Sequence, residues 1–247
     1  MEGKYVGGIR LTEEPEEGSY LCGLPAVQYL RRAGGLDFAH DVTFFVGENG
    51  TGKSTLLEGI AVACGFNAEG GTRNFSFSTQ ATHSGLYRCL TVRRSRLPKD
   101  GFFLRAESFY NAASYLAGVY EAEYTLGLPT PYGSQPLHAQ SHGESFLSLV
   151  HNRFGPHGLY LLDEPEAALS PSRQMSLLAE IHTLVQQDCQ FLIATHSPIL
   201  MAYPDAEILQ LTGEGIAPVA YRDTEHYRIT KYFLDCPEKM LAELFRP

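Results

Sequence analysis

Residues 47 to 55, Gly47-Glu48-Asn49-Gly50-Thr51-Gly52-Lys53-Ser54-Thr55, have the types and spacing to hold a phosphate chain. They satisfy G-x-x-x-x-G-K-[ST] in full and lie between the apolar run Val42 to Val46 and the helix-like LLEGIAVA. Glycines without a Cβ let such a loop curl with its amides inward, and a helix starting beside it adds its own free N–H groups. Lys53 is then expected along the β- and γ-phosphates, and the Ser54 hydroxyl on Mg2+.

Three further stretches could act on that phosphate. The apolar run Leu159 to Leu162 ends in the adjacent carboxylates Asp163 and Glu164. In an open α/β sheet ligands gather at the carboxyl ends of strands. Asp163 is placed to hold Mg2+ and Glu164 to deprotonate the water that attacks the γ-phosphate. Ala194-Thr195-His196-Ser197-Pro198 closes another apolar run, and His196 there can hydrogen-bond the γ-phosphate or that water. Ser141-His142-Gly143-Glu144-Ser145 opens a helix-like stretch. By itself it reads as a cap, with the Ser141 hydroxyl and Glu144 carboxylate serving free amides, although Ser, Gly and a helix N-terminus also suit an anion.

The elements that must position these residues alternate between strand and helix, which implies a mostly parallel sheet with helices on both faces. Residues 4 to 11 read as a strand, SYLCGL and AVQYL as strand and strand edge, and the whole N-terminal part as an antiparallel β segment. LYRCLTVRR reads as a strand returning through a Pro98-Lys99-Asp100-Gly101 hairpin into FFLRA. Glu107 to about Leu126 looks helical, 127 to 143 is a long mobile loop, and 144 to 152 is a helix. The strand GLYLLDEP, a helix from Pro171, the strand CQFLIATHSP, two more strands and two closing helices complete the chain. One domain, 1 to 247, is expected, with a helical sub-domain at about 107 to 150 inserted in it.

A net charge of −9 on 247 residues, with 44% hydrophobic and 19% charged, describes an ordinary globular chain without an all-over basic surface. Nucleic acid would need a local patch, for which Arg88, Arg93, Arg94, Arg96, Lys99 and Arg105 are the candidate, or else a solvated edge strand. Cys22, Cys64, Cys89, Cys189 and Cys236 are odd in number and show no C-x-x-C, which points to reduced thiols and a cytoplasmic location. No apolar run approaches the length of a membrane span. Tyr5, Tyr20 and Tyr29 are candidate platforms for an adenine ring.

The order GENGTGKST, SHGES, YLLDEPEAALSP, ATHSP resembles the ATP-binding-cassette ATPases over residues 42 to 198. Within them, DEPEAALSP and FFLRAESF look like the soluble, non-transporter predicted AAA-family ATPases related to RecF-type and structural-maintenance-of-chromosomes heads. The resemblance implies a P-loop fold and hydrolysis of ATP with Mg2+ by two copies closed head to tail. It gives Lys53 and Ser54 to phosphate and metal, Asp163 to metal, Glu164 to water and His196 to the γ-phosphate. Ser141, Gly143 and Glu144 would complete the other protomer's site, with Ser170 in the subunit-crossing loop. The signature departs from Leu-Ser-Gly-Gly-Gln in having Gln140 and His142 at its first and third positions. For the family's sensing glutamine, Glu107 occupies about the right place and would act on Mg2+ through water, with Gln80 as a weaker option. The reading that follows is an ATPase in DNA maintenance or defence against foreign DNA, contacting DNA or a partner protein. The alternative is the ATP-driving subunit of a membrane transporter, which more often carries DEPTSALD where this chain has DEPEAALS. A small-molecule kinase would have no use for LDEP or ATHSP.

Overall fold

The computed structural model describes residues 3–72, 84–107, 109, 118–126, 128, 130–133 and 140–246. Its main sheet has six strands in the order β5 (Asp100–Arg105), β6 (Gly158–Asp163), β7 (Gln190–Ala194), β3 (Val42–Val46), β8 (Glu207–Thr212) and β9 (Gly215–Pro218). All neighbours are parallel except β9, which turns back antiparallel on β8. Every residue of β3, β6 and β7 is buried. Continuous apolar runs are what a parallel sheet covered on both faces requires. Successive side chains go to opposite faces. Phe45, Leu161 and Leu192 enter one core with α2 (Lys53–Ala63), while Phe44, Leu162 and Ile193 enter the other with α5 (His142–Arg153) and α6 (Pro171–Gln186).

A second, antiparallel sheet joins β2 (Leu36–Asp37), β1 (Gly8–Leu11) and β4 (Leu90–Arg93) in that order. The N-terminal antiparallel part is therefore present, but its content differs from expectation. Tyr20–Gly23 is a 3-10 turn and Pro25–Ala33 is the helix α1 rather than strand pieces. Pro25 at its first turn and Gly34 in the left-handed region just past its end are the start and stop signals, and Ala26, Val27 and Leu30 form its buried face. The stretch LYRCLTVRR is half helix: α3 (Leu86–Cys89) buries Leu86 and Cys89, three residues apart, and packs on α2 before β4 begins.

No hairpin forms at Pro98 to Gly101. The chain instead leaves the small sheet, and β5 pairs in parallel with β6 from Asp100 opposite Gly158 to Arg105 opposite Asp163. Phe102 and Phe103 are both fully buried, so this strand needs a layer on each face and finds it at the edge of the main sheet.

The described part of 107 to 133 includes the short helix α4 (Glu121–Thr125), and Phe109 packs on Phe146 of α5 with ring centroids 5.5 Å apart. Residues 73 to 83, with Gln80, residues 110 to 117 and residues 134 to 139 lie outside the described residues. The chain closes with α7 (Glu225–Asp235) and α8 (Pro237–Leu244). Among the described residues no helix is long and apolar enough to cross a membrane. Four arginines of the 88 to 105 stretch make contacts within the protein. Arg93 pairs with Asp37, Arg94 donates to the Ala63 carbonyl, Arg96 binds Asp188 and Arg105 binds Glu58.

Candidate active site

The parallel register places Arg105, Asp163, Ala194 and Phe45 in one row across the carboxyl ends of β5, β6, β7 and β3. The phosphate loop, the two acids and the ATHSP segment therefore open from the same sheet edge. Gly47 leaves β3 at φ +141°, and a Cβ there would sit 2.2 Å from the Leu211 carbonyl oxygen on β8. Only glycine lets the loop turn so close to its neighbour strand. Gly52, at φ +96°, caps α2, whose first residue is Lys53. Lys53 is 4% exposed, and its Nζ donates to the carbonyls of Gly47 at 2.8 Å and Glu48 at 2.9 Å. Burial lowers its pKa, with Glu164 and Asp163 acting in the opposite sense. Thr51 Oγ1 donates to the Glu48 carbonyl and ties the loop across its middle.

Asp163 is 5% exposed, and its Oδ1 has no hydrogen-bond partner. Burial pushes its carboxyl up to about 6, against the pull of Arg105 and a hydrogen bond from Ser54. The other oxygen, Oδ2, lies 3.4 Å from Arg105 Nε. Arg105 is held in turn by Glu58, 2.7 Å away and 6% exposed, and stands 3.9 Å from Glu107. Glu107 itself is 86% exposed at the rim. An orphaned, buried carboxylate oxygen beside a serine hydroxyl at a phosphate loop has the donor chemistry for Mg2+. Among the described residues no cluster of three His, Cys, Asp or Glu could hold a metal by itself. This small donor set fits Mg2+, which commonly takes one or two protein carboxylates and fills its octahedron with phosphate and water.

Glu164 adopts the left-handed conformation at φ +49°, a costly backbone for a non-glycine residue. Its amide donates to the Ala194 carbonyl, and its Oε1 lies 3.5 Å from His196 Nε2. His196 is held from both sides. Its backbone N–H donates to Glu166 Oε1, while Thr195 Oγ1 donates to Glu166 Oε2 at 2.8 Å. Its Nδ1 lies 2.8 Å from Nε2 of His226 on α7. Burial first, then Lys53 and His226, lower the His196 pKa, and burial then Lys53 lower that of His226.

The Ser141 segment has cap geometry. The Ser141 amide donates to Glu144 Oε2 at 3.1 Å, and Arg173 of α6 reaches Glu144 Oε1 and the Ser141 hydroxyl, each at 3.1 Å. A Cβ on Gly143 would meet the Ala168 carbonyl at 3.0 Å and Arg173 Nη1 at 2.5 Å, so this glycine lets α5 lie against the turn that follows Glu164. Ser170 caps α6, its hydroxyl 3.1 Å from that of Ser172. Among the adenine candidates, Tyr5 is 2% exposed and spends its hydroxyl on Asp188, away from the loop, whereas Tyr20 is 62% exposed.

Three polar residues of this edge, Glu58, Glu166 and His226, are not singled out from sequence, and a fourth, Arg105, is singled out only as part of a candidate nucleic-acid patch. Glu58 had a local signal, lying four residues after Ser54 on the same helix face, and Glu166 lies two after Glu164. Arg105 and His226 reach the site through strand pairing and helix docking, which no local spacing announces.

Two family models match the chain. One, described as an AAA domain, covers residues 28–93. The other, described as an AAA domain of a proposed AbiEii toxin, Type IV TA system, covers 142–202. No curated protein matches the chain. Among solved structures, cbiO1 from Clostridium perfringens, part of the ABC transporter complex cbiONQ, is 16% identical with a TM-score of 0.51, over 97% of this chain and 99% of that one. MJ1267, an ATP-binding cassette of an ABC transporter, is 16% identical with a TM-score of 0.50, over 99% of this chain and 100% of that one. At such identities these structures speak for the fold. Since the AAA-domain matches fall on the two parts of the chain that hold the phosphate loop and the acid pair, the chain is an ATP-hydrolysing enzyme, and the sheet joining those parts has the fold of the ATP-binding cassettes.

Proposed function

We propose that two copies of this chain close head to tail around two ATP and two Mg2+, and part when the ATP is cleaved. Residues 47 to 55 wrap the phosphates. Lys53 leaves the neutral carbonyls of Gly47 and Glu48 for the charged β- and γ-oxygens, a stronger set of acceptors. Ser54 and Asp163 hold Mg2+, with Glu107 reaching it through water from the rim. Bound there, Mg2+ would offset the negative charge of the phosphates while water adds to the γ-phosphorus and the bond to the departing ADP oxygen breaks. Glu164 takes the proton of the attacking water, and His196 donates to the γ-phosphate. The observation that supports the nucleotide and metal roles in this reading is Asp163, a buried carboxylate with one oxygen left without a partner at the mouth of the phosphate loop. Ser141, Gly143 and Glu144, borne on a helical sub-domain at about 107 to 150, serve the partner copy's nucleotide across the closed interface. There the γ-phosphate competes with Glu144 for Arg173.

The test is Glu164→Gln with ATP, followed by light scattering. A stable dimer is expected, and a variant that remains monomeric at saturating ATP refutes the sandwich. The cycle acts in DNA maintenance or in defence against foreign DNA, in the cytoplasm. The family model described with a type IV TA system supports that role, and five cysteines without C-x-x-C spacing support that location. Stimulation of the ATPase by double- or single-stranded DNA is expected. Stimulation by membranes alone favours the second reading, a transporter's ATP-driving subunit, which has the same fold in its support.

A further inference from the structure

His226 lies beyond the stretch that carries the nucleotide chemistry, yet it touches the ring at the centre of it. His226 is the second residue of α7, and the start of that helix is anchored on the segment bearing His196. Thr224 is fully buried, its Oγ1 donating to the Tyr221 carbonyl at 2.8 Å. Tyr221 in turn donates its hydroxyl to the Pro198 carbonyl at 3.0 Å and packs its ring on Tyr227, centroids 4.7 Å apart. Pro198 is two residues past His196, so both rings hang from one rigid corner. Their centroids are 4.9 Å apart, edge to face, and one hydrogen bond joins His196 Nδ1 to His226 Nε2.

We propose that His226 is a positioning residue that sets the proton of His196: it donates from Nε2 to His196 Nδ1, so that His196 carries its own proton on Nε2. The opposite assignment can be weighed directly. If His196 donated from Nδ1, its Nε2 would be a bare lone pair facing the Glu164 carboxylate at 3.5 Å. Two acceptors would then oppose each other, and a phosphate arriving there would make a third. With the proton on Nε2, the ring turns an N–H toward the carboxylate, too far for an ordinary hydrogen bond at 3.5 Å, and can donate to a phosphoryl oxygen entering beside it. Burial first and then the Lys53 ammonium disfavour a second proton on either ring, while Glu164, Glu225 and Glu48 act in the opposite sense. His196 Nε2 is buried without a hydrogen-bond partner, as a donor reserved for a ligand would be.

This inference rests on His196 acting at the γ-phosphate, and the experiment separates the two. Two-bond 15N–1H spectra of the full chain, labelled at histidine, read each ring's tautomer without nucleotide. Wild type is expected to show His196 as the Nε2–H form, and His226→Leu a mixture of both forms. His226→Gln, whose amide can donate from a similar position, restores the Nε2–H form. ATP turnover should fall about tenfold in His226→Leu, the worth of one oriented hydrogen bond, with KM little changed and with recovery in His226→Gln. In a His196→Ala background His226→Leu should have no further effect. A wild-type His196 protonated on Nδ1, or an unchanged tautomer in His226→Leu, overturns the proposal. Full turnover in His196→Ala overturns the phosphate role of His196 instead, and the spectra still decide which residue sets the proton.

Discussion

Two aspartates stand at opposite ends of the parallel sheet and are treated in opposite ways. Asp188, in the left-handed turn before β7, receives two hydrogen bonds from Arg96 and one from the Tyr5 hydroxyl, and lies 3.1 Å from His157 Nδ1. Those partners hold its carboxyl far below the ordinary range, the Arg96 hydrogen bonds foremost. Asp163, at the carboxyl end of β6, is more deeply buried, keeps only a 3.4 Å approach from Arg105 and a bond from Ser54, and leaves one oxygen bare. A fold that can saturate one carboxylate so thoroughly could have saturated the other. The difference teaches that the end holding the phosphate loop retains unspent electrostatic potential for a ligand, whereas the far end spends it on stability.

That contrast can be broken by experiment. The largest effect belongs to the loop itself. Lys53→Ala should weaken ATP binding at least about a hundredfold, because it removes the one buried ammonium at the phosphates. Unchanged affinity in a fluorescent-ATP titration would show that the acidic end is not where the nucleotide binds. Next, Asp188→Asn should destabilise the protein by about 2 kcal/mol, lowering Tm by about 6 °C, since it strips charged hydrogen bonds from Arg96. Smaller and of opposite sign, Asp163→Asn should raise the stability of the metal-free protein by about 1 kcal/mol at pH 7, because it relieves a desolvated charge. It should also abolish the extra thermal stabilisation that Mg2+ adds to ATP. Equal signs for the two asparagine variants in calorimetry would erase the distinction drawn here.

The smallest effect is in the pH profile, and its sign differs between the ends. Asp188 has a depressed folded pKa, so its contribution is complete above the unfolded value of 3.8 and disappears as pH falls through and below it. Asp163 has a raised one, so its favourable contribution is complete below 3.8 and is lost as pH climbs to about 6. Denaturant titrations between pH 3 and 7 should therefore show both asparagine variants approaching wild type as pH falls, Asp188→Asn from below and Asp163→Asn from above.

Several features of this molecule are written locally. The phosphate loop, the acid pair and His196 follow from contiguous residues, because a strand end, a glycine curl and a helix start are short-range events. The buried runs of β3, β6 and β7 announce a sheet covered on both faces for the same reason. α1 was also legible in principle: Pro25 and Gly34 bracket it, and the strand reading of AVQYL weighed a short apolar run above those signals. The Ser141 stretch suits both a cap and an anion site by sequence, and its cap bonds are local while Arg173 comes from another helix.

Other features could be decided only by packing. FFLR becomes a parallel edge strand rather than a hairpin arm because two fully buried phenylalanines on opposite faces need two layers to cover them. Arg105 meets Asp163 because the register of β5 on β6 brings them opposite each other, and Glu58 turns to meet it from α2. His226, thirty positions after His196, reaches it because Tyr221 and Thr224 seat α7 on the Ser197–Pro198 corner. The sequence by itself determined which chemistry this chain carries, since that depends on neighbours along the backbone. Only the tertiary structure decided which side chains hold that chemistry in place, since those contacts join elements that pack together although they lie far apart in the chain.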